Sequence, residues 1–197
     1  MTIRIFDKME QCTAEEINRM LLLVSMQRQK QALAFKYTYG QYACLKSMVM
    51  LQDILLEEYP QIPQPISFDY EEHEKPYLKD FSNVFFNISH CEHGIAVVVD
   101  DSPVGIDIES FYNPESALMK KTMNTLEYNQ IINSENPALE FTKLWTQKES
   151  VFKLRGTGIT DELHDTLCGP EIINSFVNFE KRYVYSVAKN PINPCCP

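Results

Sequence analysis

"GIAVVVDDSPVGIDIES", residues 94–110, holds two apolar runs separated by a short turn at Asp101–Pro103. Both runs read as strands, and together they look like a hairpin. In the second run Val104, Ile106 and Ile108 are β-branched and apolar, while Asp107 and Glu109 break the pattern. Side chains alternate along a strand, so Asp107 and Glu109 share one face and Ile106 and Ile108 the other. Gly105 carries no side chain and lets another group approach the backbone. Two carboxylates on one face repel. They need a basic side chain, a shared proton or a hard cation such as Mg²⁺ between them, unless the face is simply a solvated strand edge.

Outward from this stretch the chain alternates helix and strand twice. "TIRIF", residues 2–6, reads as a first strand. A Thr-x-x-Glu pair, Thr13 and Glu16, marks the start of a helix. A longer helical run spans roughly Met26 to Tyr59, with Gly40 as its expected interruption and Pro60, Pro63 and Pro65 ending it. "ISFDY" is a candidate strand, "EKPYL" a loop, and "VFFNISH" a strand followed by a turn. Downstream, helices are expected at about Ser116–Asn133 and Pro137–Lys153, with Gly156 as a C-terminal cap. "SFVNF" and "RYVYSVA" read as two late strands. The expectation is an α+β fold of two similar halves, residues 1–104 and 105–197, forming one two-lobed unit. Each half would be a small antiparallel sheet packed on a long helix.

The bulk properties narrow the function. The chain has 197 residues, 44% of them hydrophobic, with 18 basic and 27 acidic residues and a net charge of −9. That field disfavours nucleic acid as a partner, while leaving room for a local basic pocket. No apolar run is long enough for a membrane span. The acids near the start disfavour a secretory signal. Six cysteines at 12, 44, 91, 168, 195 and 196 include no C-x-x-C pair. Reduced thiols in a cytoplasmic protein, with Cys195 and Cys196 frayed, are the expectation.

Four further elements could carry chemistry. In "LWTQKESVFKLRGTGI", residues 144–159, Trp145, Glu149 and Lys153 fall on one helix face. Glu149 and Lys153 could form a plain surface ion pair. Alternatively, Glu149 joins Asp107 and Glu109 around Mg²⁺ or Mn²⁺, and Lys153 faces a phosphate. In "NISHCEHG", Ser89 and His90 could hydrogen-bond a phosphate; His90 taken alone could be a turn histidine, and His93 reads as one. No G-x-S-x-G elbow is present, so Ser89–His90 is not a hydrolase pair. Lys75 before Pro76 sits in a loop that Pro76 stiffens.

The order Lys75-Pro76, "FNISH", "VGIDIE" and "WTQKESVFKLRGTGI" resembles the 4′-phosphopantetheinyl transferases of the Sfp type. The G-x-D-x-E acids precede the W-x-x-K-E motif by about forty residues. The resemblance implies that Asp107, Glu109 and Glu149 hold Mg²⁺ on the pyrophosphate of coenzyme A. It implies transfer of the phosphopantetheine arm to a serine of an acyl or peptidyl carrier protein, with release of 3′,5′-ADP. Lys153 would stabilise phosphate charge. Glu149 would act as base, with a metal-bound water as its competitor. Lys75, Pro76, Ser89 and His90 would contact coenzyme A, and Arg28, Lys30 and Lys36 are candidates for its 3′-phosphate. Glu127 resembles a further acid near the metal. Two departures bear on nucleotide affinity: Glu74 stands where the family often has Gly, and an arginine frequent along the long helix is not evident in "YGQYACLKS". A non-catalytic coenzyme A or carrier-binding module is the alternative, and a metal-dependent phosphodiester hydrolase a third. Two similar halves in one chain make a monomer sufficient.

Overall fold

The computed structural model describes residues 1–70, 75–159 and 161–191. Glu74, Cys195 and Cys196 therefore lie outside the described residues. Among the described residues, eight strands and six α-helices follow one another as β1 Thr2–Phe6, α1 Ala14–Leu21, α2 Met26–Ala34, α3 Thr38–Glu58, β2 Asp69–Tyr70, β3 Pro76–Tyr77, β4 Phe85–Cys91, β5 Gly94–Asp100, β6 Val104–Ser110, α4 Ser116–Thr122, α5 Thr125–Ile132, α6 Pro137–Arg155, β7 Ile172–Asn178 and β8 Tyr183–Lys189.

Two three-stranded antiparallel sheets share one connectivity. The first has the order β1-β5-β4 and the second β6-β8-β7. In each, an opening strand is followed by helices and then by a hairpin whose last strand takes the middle of the sheet. β5 is an unbroken apolar run because both its faces are covered. Ile95, Val97 and Val99 pack with Leu45, Leu51 and Leu55 of α3. Ala96 and Val98 meet Ile106 and Ile108 of β6 between the two sheets. Burying each such side chain stabilises the fold by about 1.5–3 kcal/mol. On the far side α6 lies on the second sheet, with Val151 and Leu154 against Ala188.

Several expectations need correction. β5 and β6 are not a hairpin. Both edges of β5 are taken, by β1 and β4, and β6 pairs with β8 instead, Asp107 opposite Ser186. The turn at Asp101–Pro103 is therefore a crossover between sheets. The long helical run does break, but at Phe35–Tyr37 rather than at Gly40. Gly40 lies inside α3, where a Cβ would come within 2.6 Å of the Phe35 ring, so that glycine seats the ring of the preceding break. The helix expected over residues 116–133 is two helices, because Asn124 caps α5 in a reciprocal capping box with Glu127.

The opening helix signals hold. Thr13 Oγ1 accepts the Glu16 N–H at the start of α1. Gly156 ends α6 in the left-handed conformation, φ 72°. "VFFNISH" remains strand through Cys91, so Ser89 and His90 point from opposite faces of β4 rather than from a turn. "EKPYL" is not wholly loop, since Pro76–Tyr77 pairs with Asp69–Tyr70.

Candidate active site

Where β4 and β6 run side by side, no backbone ladder pairs them. Side chains make the joint. Asn87 Oδ1 accepts the Ile106 N–H at 3.5 Å, and Ser89 Oγ donates to Asp107 Oδ1 at 2.7 Å. This seam brings the "NIS" segment of the first half to the acids of the second.

Gly105 sets the depth of the site. A Cβ there would fall 2.0 Å from Ser150 O and 2.5 Å from Leu154 N, so the backbone of α6 rests directly on β6. The strand face carrying Gly105 also carries Asp107 and Glu109, and it is the face that meets α6. Close approach at Gly105 thus places Glu149 and Lys153, the flanking residues of α6, over the two acids.

Asp107 is 2% exposed. Its Oδ1 accepts from Ser89 Oγ and, at 2.7 Å, from Lys153 Nζ. Its Oδ2 is buried with no hydrogen-bond partner among the described residues. Glu109 is pushed up to about 7 by burial first, then by repulsion from Asp107 and Glu149 against the attraction of Lys153. Glu149 is raised for the same leading reason, burial, and then by Asp107. Three acids therefore share one poorly solvated corner, with the Lys153 ammonium bonded to Asp107. Among the described residues, no trio of His, Cys, Asp or Glu side chains stands within common reach of one cation. The donor set nonetheless suits a hard divalent ion. It offers oxygen ligands only, an orphaned buried carboxylate oxygen, and two carboxyls that burial and mutual repulsion hold toward their protonated forms.

The simple surface ion pair considered for Glu149 and Lys153 is not formed among the described residues. Lys153 is bonded to Asp107 and Ser89 instead. Glu149 and Lys153 line a cavity of about 330 Å³ together with Lys75, Pro76 and Ile88. Lys75 Nζ donates to the Leu154 carbonyl in the last turn of α6, where the helix dipole favours a cation. A second cavity, about 580 Å³, shares Pro76 and Ile88 and adds Arg28, Cys44, Tyr70 and His90. Arg28 lies 5.4 Å from the Phe68 ring centroid and donates from Nη1 to Cys44 Sγ, while its Nε is buried without a partner among the described residues. His90 is lowered by burial within the cleft and then by the charge of Lys153. Lys30 and Lys36 are exposed and outside the lining of both cavities; Lys36 sits over the Tyr37 ring. Beyond Glu109 a third cavity, about 460 Å³, is walled by Ser110, Tyr112, Phe141 and Trp145.

Glu127 has a partner that the sequence did not reveal. Lys148 is fully buried and its Nζ lies 2.7 Å from Glu127 Oε2. The same Glu127 oxygen accepts the Asn124 N–H, and Lys148 also donates to Leu163 O. In this structure Glu127 thus fastens α5 to α6. Neither Lys148 nor Asn87 was singled out from sequence. The only signal for Lys148 was its place beside Glu149 in the W-x-x-K-E run, which reads equally well as a solvated lysine.

Residues 103–187 match the family model of the 4′-phosphopantetheinyl transferase superfamily. Most of the second half of the chain is thus similar to that superfamily. Asp107, Glu109, Glu149 and Lys153 fall inside the matched span, while Lys75, Ser89 and His90 precede it. Longer matches run to curated transferases. The chain is 27% identical over 148 residues to 4′-phosphopantetheinyl transferase ffp of Bacillus subtilis, a match covering 74% of this chain and 66% of that protein. It is 29% identical over 148 residues to 4′-phosphopantetheinyl transferase psf-1 of Bacillus pumilus, covering 74% and 64%. A shorter match, 31% over 111 residues, reaches the L-aminoadipate-semialdehyde dehydrogenase-phosphopantetheinyl transferase of Saccharomyces cerevisiae, covering 51% and 41%. The chain thus spans just under two thirds of the length of the two Bacillus relatives. Among the described residues, no helix is long and apolar enough to cross a membrane.

Proposed function

We propose that this protein transfers the 4′-phosphopantetheine arm of coenzyme A to a serine of an apo acyl or peptidyl carrier protein, releasing 3′,5′-ADP, in a Mg²⁺-dependent reaction that Mn²⁺ could also support. The observation that carries this reading is the buried, unpartnered Oδ2 of Asp107 beside two carboxyls raised by burial and repulsion. A pure binding module has no use for such a costly arrangement. The similarity of residues 103–187 to the transferase superfamily supports this chemistry.

Asp107, Glu109 and Glu149, which do not stand within common reach of one ion in this structure, would have to draw together to hold the cation, which would neutralise pyrophosphate charge and orient it for in-line attack. The chain's own side chains do the rest. Lys75 and Lys153 line one cavity and bring positive charge to the phosphates. Arg28 and His90 line the adjoining cavity and suit the nucleotide end. Glu149, raised by burial, is the base for the carrier serine, because a carboxyl poised nearer neutrality accepts a proton more effectively. The division at residues 104 and 105, a monomeric state, and a cytoplasmic setting consistent with free Cys12, Cys44, Cys91 and Cys168 complete the reading.

The test is mass spectrometry of apo carrier proteins incubated with the protein, coenzyme A and Mg²⁺. A gain of one phosphopantetheine per carrier, abolished by EDTA, is expected. Release of free phosphopantetheine without carrier modification would point to hydrolysis. Coenzyme A binding with no turnover on any carrier would point to the binding module.

A further inference from the structure

We propose that Ser89 is a positioning residue for Asp107: together with Lys153 it occupies Oδ1, so that Oδ2 is the oxygen offered to a divalent cation. The inference rests on the transferase reading above, but it assigns Ser89 a different task from the phosphate contact that the family resemblance implies.

The geometry is closed on one side and open on the other. Ser89 is 7% exposed and Asp107 is 2% exposed, so neither side chain has bulk water as an alternative partner. The Ser89 hydroxyl donates to Asp107 Oδ1 at 2.7 Å and accepts from Lys153 Nζ at 2.8 Å. Lys153 Nζ also donates to the same Oδ1 at 2.7 Å. Three groups form a triangle that leaves Asp107 Oδ2 without a partner among the described residues. A serine hydroxyl has a single proton to donate. Spent on Asp107, it cannot also be given to a phosphate. Two donors on one oxygen fix the rotation of the carboxylate, which is how groups behind a metal ligand orient it and strengthen binding.

The strand places Ser89 for this. Asn87 and Ser89 lie two apart on the face of β4 that meets β6, and His90 points away. Asn87 holds the Ile106 amide next to Asp107. The N-x-S segment therefore replaces the missing ladder along the seam and sets the register of the acid strand.

The experiment uses the whole protein with saturating coenzyme A and measures Mn²⁺ binding from the free-Mn²⁺ electron paramagnetic resonance signal, corrected for Mn²⁺ held by coenzyme A alone. Coenzyme A affinity is measured separately in EDTA. Ser89→Ala should weaken Mn²⁺ binding about tenfold or more, the usual effect of losing a group that orients a metal ligand. Coenzyme A affinity in EDTA should change less than about twofold, because no phosphate contact is lost on this assignment. Ser89→Thr keeps the hydroxyl and should recover most of the Mn²⁺ affinity. Ser89→Cys keeps the volume with a poor donor and should follow Ser89→Ala; circular dichroism checks each fold, and the Cys variant decides if the Ala variant does not fold. Unchanged Mn²⁺ binding in the folded variants, or lost coenzyme A affinity in EDTA, overturns the assignment and makes Ser89 a phosphate contact. If the unmutated protein with coenzyme A binds no Mn²⁺, the transferase reading itself fails, and this inference with it.

Discussion

Replacing Glu109 by Gln should make the metal-free protein less sensitive to pH, and the size of the effect follows from the site. Glu109 moves from an ordinary 4.5 to about 7 on folding, because it is buried and faces Asp107 and Glu149 with only Lys153 to offset them. The folded state therefore holds this proton more tightly than the unfolded state does. That contribution to stability is fully present below about pH 4.5 and is lost as the pH rises through about 7. At about 1.4 kcal/mol per pH unit the full shift would correspond to about 3 kcal/mol. Partial exposure of the side chain trims this to about 2 kcal/mol. Urea unfolding in EDTA from pH 5 to pH 8 measures it. The stability of Glu109→Gln relative to the unmutated protein should rise by about 2 kcal/mol across that range. Mg²⁺ should narrow the gap at pH 8 and leave it unchanged at pH 5, where the ion must compete with the proton. A difference between the two proteins that is independent of pH would refute the electrostatic account of the site.

Gly105→Ala should cost about 3 kcal/mol or more and also lower activity, since its Cβ meets helix backbone rather than a yielding side chain and must lift α6 from β6; thermal unfolding and a transfer assay would expose a harmless substitution. Lys148→Met leaves Glu127 buried without its partner and should cost about 3–5 kcal/mol, with Lys148→Met combined with Glu127→Gln recovering part of the loss, as read by urea midpoints. Exchanging the charges of Glu149 and Lys153 should not restore transfer, because Lys153 is bonded to Asp107 and Ser89 and not to Glu149; recovery in a steady-state carrier assay would show that the two residues answer only to each other.

What could be read from the sequence was local. The alternation of β6 follows from its period of two, the close approach at Gly105 from its missing side chain, and the end of α6 from Gly156. What could not be read was set by partners distant in the chain. Asp101–Pro103 has the composition of a turn, and nothing local says that β1 and β4 already occupy both edges of β5. Gly40 looks like a helix breaker until the Phe35 ring is laid against it. Lys148 and Glu149 are neighbours of similar polarity in the sequence. Only the fold turns one fully into the interior toward Glu127 and leaves the other on the cavity wall. The same holds for Ser89, whose role depends on a carboxylate eighteen residues away on another strand.

The pairing of the outer strands also dictates an order of assembly. Thr2 lies opposite Val99, so the first sheet cannot close until nearly a hundred residues of chain exist. β6 in turn waits for β8, Val104 meeting Lys189. Contacts of such long sequence separation are slow to form, because the entropy of closing the loop must be overcome before the pairing stabilises anything. During synthesis the first lobe can be complete while Asp107 still lacks Lys153, and the acid face of β6 must wait with its charges unneutralised. The acid corner is then completed only once α6 has arrived.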